Sequence, residues 1–435
     1  MVLIVGEIGT ESVKVCLLEE TSITFQYGEL TIFVPAFVPT FVDIPLDKNS
    51  ERTKFKFRSI NDREPNLSVV RKGSVCNKLT TSYVVACNNR YTYKECSIWP
   101  KIAQCPVDIL FHLGDNVYCD RIFWIWFYQL DNVKTENFHL YKDDIIKDFY
   151  SVYIETWTPL EGIFANCSNI MIPDDHESRS KANMIYENAK EYYSKKSVRI
   201  KKFLVDEIKT KKQQEKEKFI FECGFEACRT LYLGMRYTNL EQFDYFGIVS
   251  NIPIIMTERV THKLFDENFL VRLERFLKES RCKIGDNILM MSGLPTVPIK
   301  QSSYEAMLYR DEEKIPNQTY DNLYDILKQY NCIYIGGDTH VGMSGQVIDR
   351  ENEKMIGRIY ISGPSSGFCS AYLDKSCVPT GTDKYKFTIE EFRATDPNCV
   401  YVNLKSFESV LLTEEKTIMH FVYNLASTCY AFWAT

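Results

Sequence analysis

The stretch DILFHLGDNVYCD, Asp108 to Asp120, decides how the rest of the chain is read. Ile109 to Leu113 is an apolar run of strand length, and it stops at Gly114 with Asp115 directly behind it. Two later stretches repeat the design: NIMIPDDHE from Asn169 to Glu177 and CIYIGGDTH from Cys332 to His340. Each reads as a buried strand that presents carboxylates and histidine where it ends. In open α/β sheets, ligands sit in the crevice at the carboxyl ends of strands. Asp115, then Asp174 and Asp175 with His176, then Asp338 with His340 are therefore expected to converge. Crowded carboxylates repel one another unless a cation neutralises them. The three stretches together predict a metal-dependent hydrolase.

Composition is compatible with that reading and removes several others. The 435 residues are about right for two domains, and 45% hydrophobic with 25% charged residues allows a large core. A net charge of −6 argues against a broad basic surface gripping duplex nucleic acid. It leaves open a small phosphorylated substrate or a phosphodiester, whose charge a metal meets locally. The fifteen cysteines are odd in number and scattered, with no CxxC pair, so they are expected to be reduced and mostly buried. The opening MVLIVGEIGTESVKV has no basic region and reaches Glu7 too early for a signal peptide. No window of 18 apolar residues without charge occurs, so no membrane span is expected and the cytoplasm is the default location.

Residues 1 to about 75 alternate apolar and polar side chains in short runs broken by Gly6, Gly9, Gly28, Pro35, Pro39 and Pro45. Period-two alternation with such punctuation predicts a small antiparallel β-sandwich, residues 1–75. From Thr81 onward strands alternate with helices, which predicts a layered α/β domain over residues 76–435. Helices are expected near 121–130, 141–157 and 267–279. A long charged helix is expected from Lys181 to about Lys218, its mixed signs reading as a solvated face.

A two-metal hydrolase needs a carboxylate shared by both ions, terminal ligands on each side and a proton donor for the leaving group. Asp115 after Gly114 suits the shared position, and Tyr118, three residues on, reaches back to the same ion. A phenolate there favours a hard trivalent cation such as Fe(III). Asp338 and His340 point the same way if their turn is extended, and each then takes a different ion. His176, beside Asp175, suits the general acid. His112, inside the apolar strand, reads as a core histidine.

The set GDNVYCD, DDHE and GGDTH, in this order, resembles the PhoD-like metallophosphatases (the alkaline phosphatase D family), whose pattern is approximately GDxxYxD, WDDHE, GDxH. VGEIGTESVKV resembles the opening of that family's N-terminal β domain, and Cys87 in SYVVACNN its strand-end cysteine. Met256 to Arg259 resembles a degenerate form of its LDTR strand, and the likeness spans most of residues 1 to 370. The resemblance implies a four-layer α/β/β/α metallophosphoesterase domain. It implies one metal held by Cys87, Asp115, Tyr118 and His340, and a second, harder site using Asp115, Asp175 and Asp338. The expected ions are Fe(III) with Ca(II), or alternatively Zn(II) or Mn(II). Asp120 and Asp174 would orient these ligands, and Arg259 would contact phosphate or serve structurally. Pro173 stands where the family shows tryptophan, and Thr257 and Glu258 where it shows Asp and Thr. The implied reaction is in-line attack on phosphorus, with His176 protonating the leaving oxygen.

Overall fold

The computed structural model describes residues 2–47, 52–59, 66–71, 81–88, 97–178, 211–261, 264–298, 317–366, 381–393 and 396–414. Two mixed sheets form its centre. In the first, Ser168–Ile172, Ile109–Leu113, Thr81–Asn88, Asn398–Asn403 and Glu408–Thr413 lie side by side in that order, and Pro364–Ser366 also pairs with Thr81–Asn88. The second runs Tyr245–Val249, Ile252–Thr257, Asn287–Ser292, Asn331–Gly336, Met355–Ile361, Gly342–Asp349 and Tyr385–Arg393.

The motif strands are buried almost throughout because both of their faces are covered, as parallel strands require. Ile109, Phe111 and Leu113 share one hydrophobic cluster with Ile254, Met256, Leu289, Met291, Ile333 and Ile335 of the second sheet. The alternate residues Leu110 and Met171 turn the other way. They pack with Phe123, Phe149, Tyr153 and Leu231 from the helices Asp120–Gln129, Lys142–Trp157 and Lys211–Gly234. In the second sheet, Ile288, Met290 and Tyr334 likewise meet Phe269 and Leu273 of helix Glu267–Glu279 and Leu323 and Tyr324 of helix Asn317–Leu327. Burying one such Leu or Phe is worth about 1.5–3 kcal/mol, so this alternation locks the register of every strand.

That register positions the site. Ser82, Ile109 and Ser168 are aligned across the first sheet, and Thr257, Ser292 and Gly336 across the second. Cys87, Asp115 and Asp174 all follow within a few residues of the first sheet's parallel ends. Arg259 and Asp338 each follow two residues after the second sheet's aligned ends. The sheets approach closely there: a Cβ on Gly337 would lie 3.3 Å from the Cβ atoms of both Ala86 and Leu113.

The N-terminal residues build a three-stranded sheet (Val2–Ile8, Ser12–Leu18, Thr40–Pro45) and a four-stranded one (Leu30–Val34, Ile23–Tyr27, Arg52–Ser59, Asn66–Arg71). Leu3, Val5, Val15 and Leu17 share a cluster with Phe25, Phe55 and Phe57. The expected alternation gives way in Val2–Ile8, which is buried along its whole length. The reason is that Val2 and Ile4 join the helix-bearing cluster of the larger unit. Ser168 Oγ donates to Gly6 O at 2.9 Å and Asn169 Nδ2 to Val5 O at 2.9 Å, tying this strand to the one that leads into DDHE.

The charged helix differs from expectation. Its described part is Lys211–Gly234, sixteen residues longer at its end than the lysine- and glutamate-rich pattern suggests; residues 179–210 lie outside the described residues. Ile220, Cys223, Ala227, Cys228 and Leu231 are buried against Lys142–Trp157 and its neighbours, while Lys218, Glu222, Glu226 and Arg229 carry the solvated charged face along the opposite side. Tyr245–Val249 and Ile252–Thr257 form an antiparallel hairpin at one edge of the second sheet. No cysteine pair is bridged among the described residues. Among them, too, no helix is long and apolar enough to cross a membrane.

Candidate metal centre

Five strand ends meet at the carboxyl side of the two sheets. Cys87 comes from Thr81–Asn88, Asp115 from Ile109–Leu113, Asp174 and Asp175 from Ser168–Ile172, Arg259 from Ile252–Thr257, and Asp338 with His340 from Asn331–Gly336. Backbone bonds hold the first two together: Cys87 N donates to Gly114 O at 3.2 Å and Asn88 N to Asp115 O at 2.7 Å. Gly114 is required where it stands. Its φ is +94°, and a Cβ would fall 2.5 Å from the Cβ of Asp174. Cys87, Asp115, Asp338 and His340 all hold φ between 50° and 64°. Such backbone costs of order 1–3 kcal/mol per residue and clusters where function requires it.

Three sets of donor atoms lie close together. The ligand atoms of Cys87, Asp115 and His340 are within 4.8 Å of one another, as are those of Asp115, Asp175 and His176, and those of Asp174, Asp175 and Asp338. Asp115 belongs to two sets and its oxygens divide between them. Oδ2 lies 3.7 Å from Cys87 Sγ and accepts from Tyr118 Oη at 3.4 Å, while Oδ1 accepts from His176 N at 3.4 Å. Tyr118 Oη is also 3.3 Å from His340 Nε2. Asp338 and His340 fall into different sets, although their turn is left-handed rather than extended.

The donors are buried acids that resist ionising together. Burial, and then the charges of Asp115, Asp338 and Asp174, push the Cys87 thiol well above its ordinary range. Burial and the Cys87 and Asp115 charges do the same to the Tyr118 phenol. Asp115 is raised chiefly by burial, against the pull of His176. Asp174 is raised well above its usual range by burial, against Arg259, and its Oδ2 accepts no hydrogen bond among the described residues. A thiol, a phenol, an imidazole and several carboxyls, with one buried oxygen orphaned, are a donor set that fits cations. Asp174 also belongs to the third of these donor sets.

His176 stands at the rim. Its Nδ1 is 2.6 Å from Asp120 Oδ2, at the start of helix Asp120–Gln129, and its ring packs at a tilt against that of Tyr118. Burial disfavours the imidazolium, but Asp120, Asp115 and Asp175 together hold its pKa well above the ordinary value. The same ring is within ligand reach of Asp115 and Asp175. His112 is remote from this chemistry. Its Nε2 lies 3.1 Å from Asn169 Oδ1 between the rings of Trp99 and Phe164, and burial lowers its pKa to about 4.

One residue that sequence reasoning left without a role organises the site. Glu177 closes the DDHE turn and accepts from Asp115 N (3.2 Å) and Asp174 N (2.9 Å) on Oε2, and from Asn116 N (2.7 Å) and Tyr232 Oη (3.1 Å) on Oε1. It thereby clamps two motif turns to each other and to helix Lys211–Gly234. Burial and the Asp115 charge push its carboxyl up to about 8, against the pull of the backbone N–H groups and Tyr232. Asn116 also donates to Ile172 O at 3.0 Å, and Trp157 Nε1 donates to Asn116 O at 3.2 Å. The available signal for Glu177 was a glutamate two residues beyond Asp175 in a turn too short to leave it in solvent.

Comparison with solved structures places the fold. The chain superposes on a structure of PhoD with a TM-score of 0.61 at 10% identity, covering 95% of this chain and 88% of that one. It superposes on the purple acid phosphatase PPD1 from yellow lupin seeds with a TM-score of 0.50 at 9% identity, covering 97% of this chain and 75% of that one. No protein-family model matches the chain, and no curated protein sequence does. The fold is PhoD-like, at 10% sequence identity.

Proposed function

We propose that this protein is a metal-dependent phosphoester hydrolase, a metallophosphatase, acting on a phosphorylated small molecule or a phosphodiester. The observation that carries this reading is the meeting of Cys87, Asp115, Tyr118, Asp175, Asp338 and His340 at strand ends drawn from two sheets. We read the two sheets with helices outside as a four-layer α/β/β/α domain, residues 76–435. Residues 1–75 we read as an N-terminal β-sandwich. The alternation of side chains between the shared inner cluster and the helix-bearing clusters supports both.

Cys87, Asp115, Tyr118 and His340 would hold a first ion and Asp115, Asp175 and Asp338 a second, with Fe(III) and Ca(II) suiting the soft-plus-phenolate and all-oxygen sets respectively. When bound, such ions polarise a phosphoryl oxygen and lower the pKa of a water. Asp115 spans both sets through its two oxygens and so fixes their separation. His176 donates the proton to the leaving oxygen. Asp120 fixes Nδ1, which leaves Nε2 to carry the exchanged proton, and the surrounding carboxylates keep the ring protonated near neutral pH. Cations held by Asp115 and Asp175 would weaken two of the three charges that sustain this, leaving Asp120 as the lasting partner.

The test is His176→Ala on two esters. General-acid help is typically worth about 10²–10⁴-fold and matters most for poor leaving groups. Turnover of an alkyl phosphate should fall steeply, a nitrophenyl phosphate far less, and bound metal should stay at the wild-type level. Equal losses on both esters would remove the general-acid role, and loss of one metal equivalent would make His176 a ligand.

A further inference from the structure

Among the described residues Arg259 is the strand-end group at the site with a fixed positive charge, and it sits among oxygens assigned above to the second ion. Its side chain is 11% exposed. Nε donates to Asp174 Oδ1 at 2.6 Å, and Nη2 lies 3.1 Å from Asp175 Oδ1 and 3.4 Å from Asp338 Oδ2. These are the three carboxylates whose ligand atoms form one metal-capable set. The strand register is the reason: Arg259 leaves the second sheet two residues after Thr257, at the level where Asp338 leaves it two residues after Gly336. Among the described residues Asp115 forms no ion pair with a lysine or arginine; its Oδ2 instead faces Cys87 Sγ and Tyr118 Oη, and Tyr118 reaches on to His340.

A calcium-sized cation draws its carboxylate oxygens to about 2.3–2.6 Å and needs several of them. A guanidinium forked onto those oxygens takes the same lone pairs and repels the ion. We propose that Arg259 is a built-in competitor for the second cation. The Cys87–Asp115–Tyr118–His340 position fills first, and the Asp175–Asp338 position accepts an ion only when the guanidinium leaves these carboxylates. This rests on the metal-centre reading above and adds an order and a difference in affinity to it.

Manganese titration of the metal-stripped full-length protein, with free Mn(II) counted by electron paramagnetic resonance, tests it without reference to activity. In the wild type one equivalent should bind tightly and a second more weakly. Arg259→Gln should tighten the second by about tenfold or more and leave the first nearly unchanged, while Arg259→Lys, which keeps the charge, should stay near wild type. A residue that merely supported the fold would weaken both equivalents instead. An unchanged or weakened second equivalent in Arg259→Gln overturns the competition, as does equal affinity of both equivalents in the wild type. Absence of any tight equivalent in the wild type overturns the metal-centre reading along with it. Should Arg259→Gln not fold, the wild type still decides. The Arg259 Nε–H resonance, identified by its absence from Arg259→Lys, should shift at the second and not the first equivalent of Ca(II). A shift at the first equivalent, or none at all, refutes the proposal.

Discussion

Replacing Glu177 by glutamine tests the internal frame of the site more sharply than removing a ligand does. All four partners of Glu177 are donors: three backbone N–H groups and the Tyr232 hydroxyl. A carboxylate accepts from all of them, two per oxygen. Glutamine keeps one oxygen and turns the other into an NH₂ group facing two donors, so two buried bonds are lost and their donors are orphaned. Each unsatisfied buried group costs about 1–3 kcal/mol, which puts Glu177→Gln at roughly 2–6 kcal/mol of folding stability. Because Asp115 N and Asp174 N share Oε2, the damage should also separate the turns that present Asp115 and Asp175, and metal content should fall with it. Urea unfolding at pH 7 of the metal-loaded protein, with metal analysis of the folded fraction, reads both. Burial and the Asp115 charge push the carboxyl up to about 8; a cation held by Asp115 would offset the second cause, and four donors favour the ionised form in the metal-loaded protein. A protonated carboxyl is nearly isosteric with the amide. A loss under about 1 kcal/mol with full metal content would therefore refute the reasoning, since it is below what one orphaned buried donor costs.

Three further outcomes follow from the same geometry. Gly114→Ala should destabilise by about 1–3 kcal/mol from backbone strain alone, before its Cβ meets Asp174 at 2.5 Å, and should lower metal content in step; wild-type stability and metal would show that the turn is free to relax. His112 is held neutral, so its contribution is complete above pH 6.5 and is lost as pH falls toward about 4. From pH 7 to pH 5 the wild type should lose about 2 kcal/mol more than His112→Gln, measured by urea unfolding, and parallel profiles would remove the effect. If iron occupies the Cys87 position, Tyr118 Oη, close to both Asp115 Oδ2 and His340 Nε2, should give a visible charge-transfer band that Tyr118→Phe bleaches. Persistence of the band in that variant would exclude tyrosinate ligation.

What the chain declares locally is its strands and where they stop. The runs 109–113, 168–172 and 331–336 are mostly apolar and buried on both faces because parallel strands between a second sheet and helices have no wet side. A glycine or proline and then a carboxylate after each run mark a sharp turn that leads to polar work, and the candidate residues Asp115, Asp175, Asp338 and His340 were legible for that reason. Cys87 was not legible from its surroundings. A cysteine ending the run SYVVAC looks like any small core residue, and only pairing of its strand with 109–113 brings its sulfur beside Asp115. Glu177 and Tyr232 are joined across 55 residues, Arg259 and Asp174 across 85, and Tyr118 and His340 across 222. No periodicity extends over such separations. Hydrophobic alternation is set by each residue's nearest neighbours along the chain, whereas charge compensation is set by which strand ends the two sheets bring face to face. The sequence alone therefore determined the strands, their buried faces and most of the metal-capable side chains. The tertiary structure decided the division of those side chains into sets, the Glu177 clamp and the guanidinium among the carboxylates, because these depend on distances that exist only after the sheets have packed.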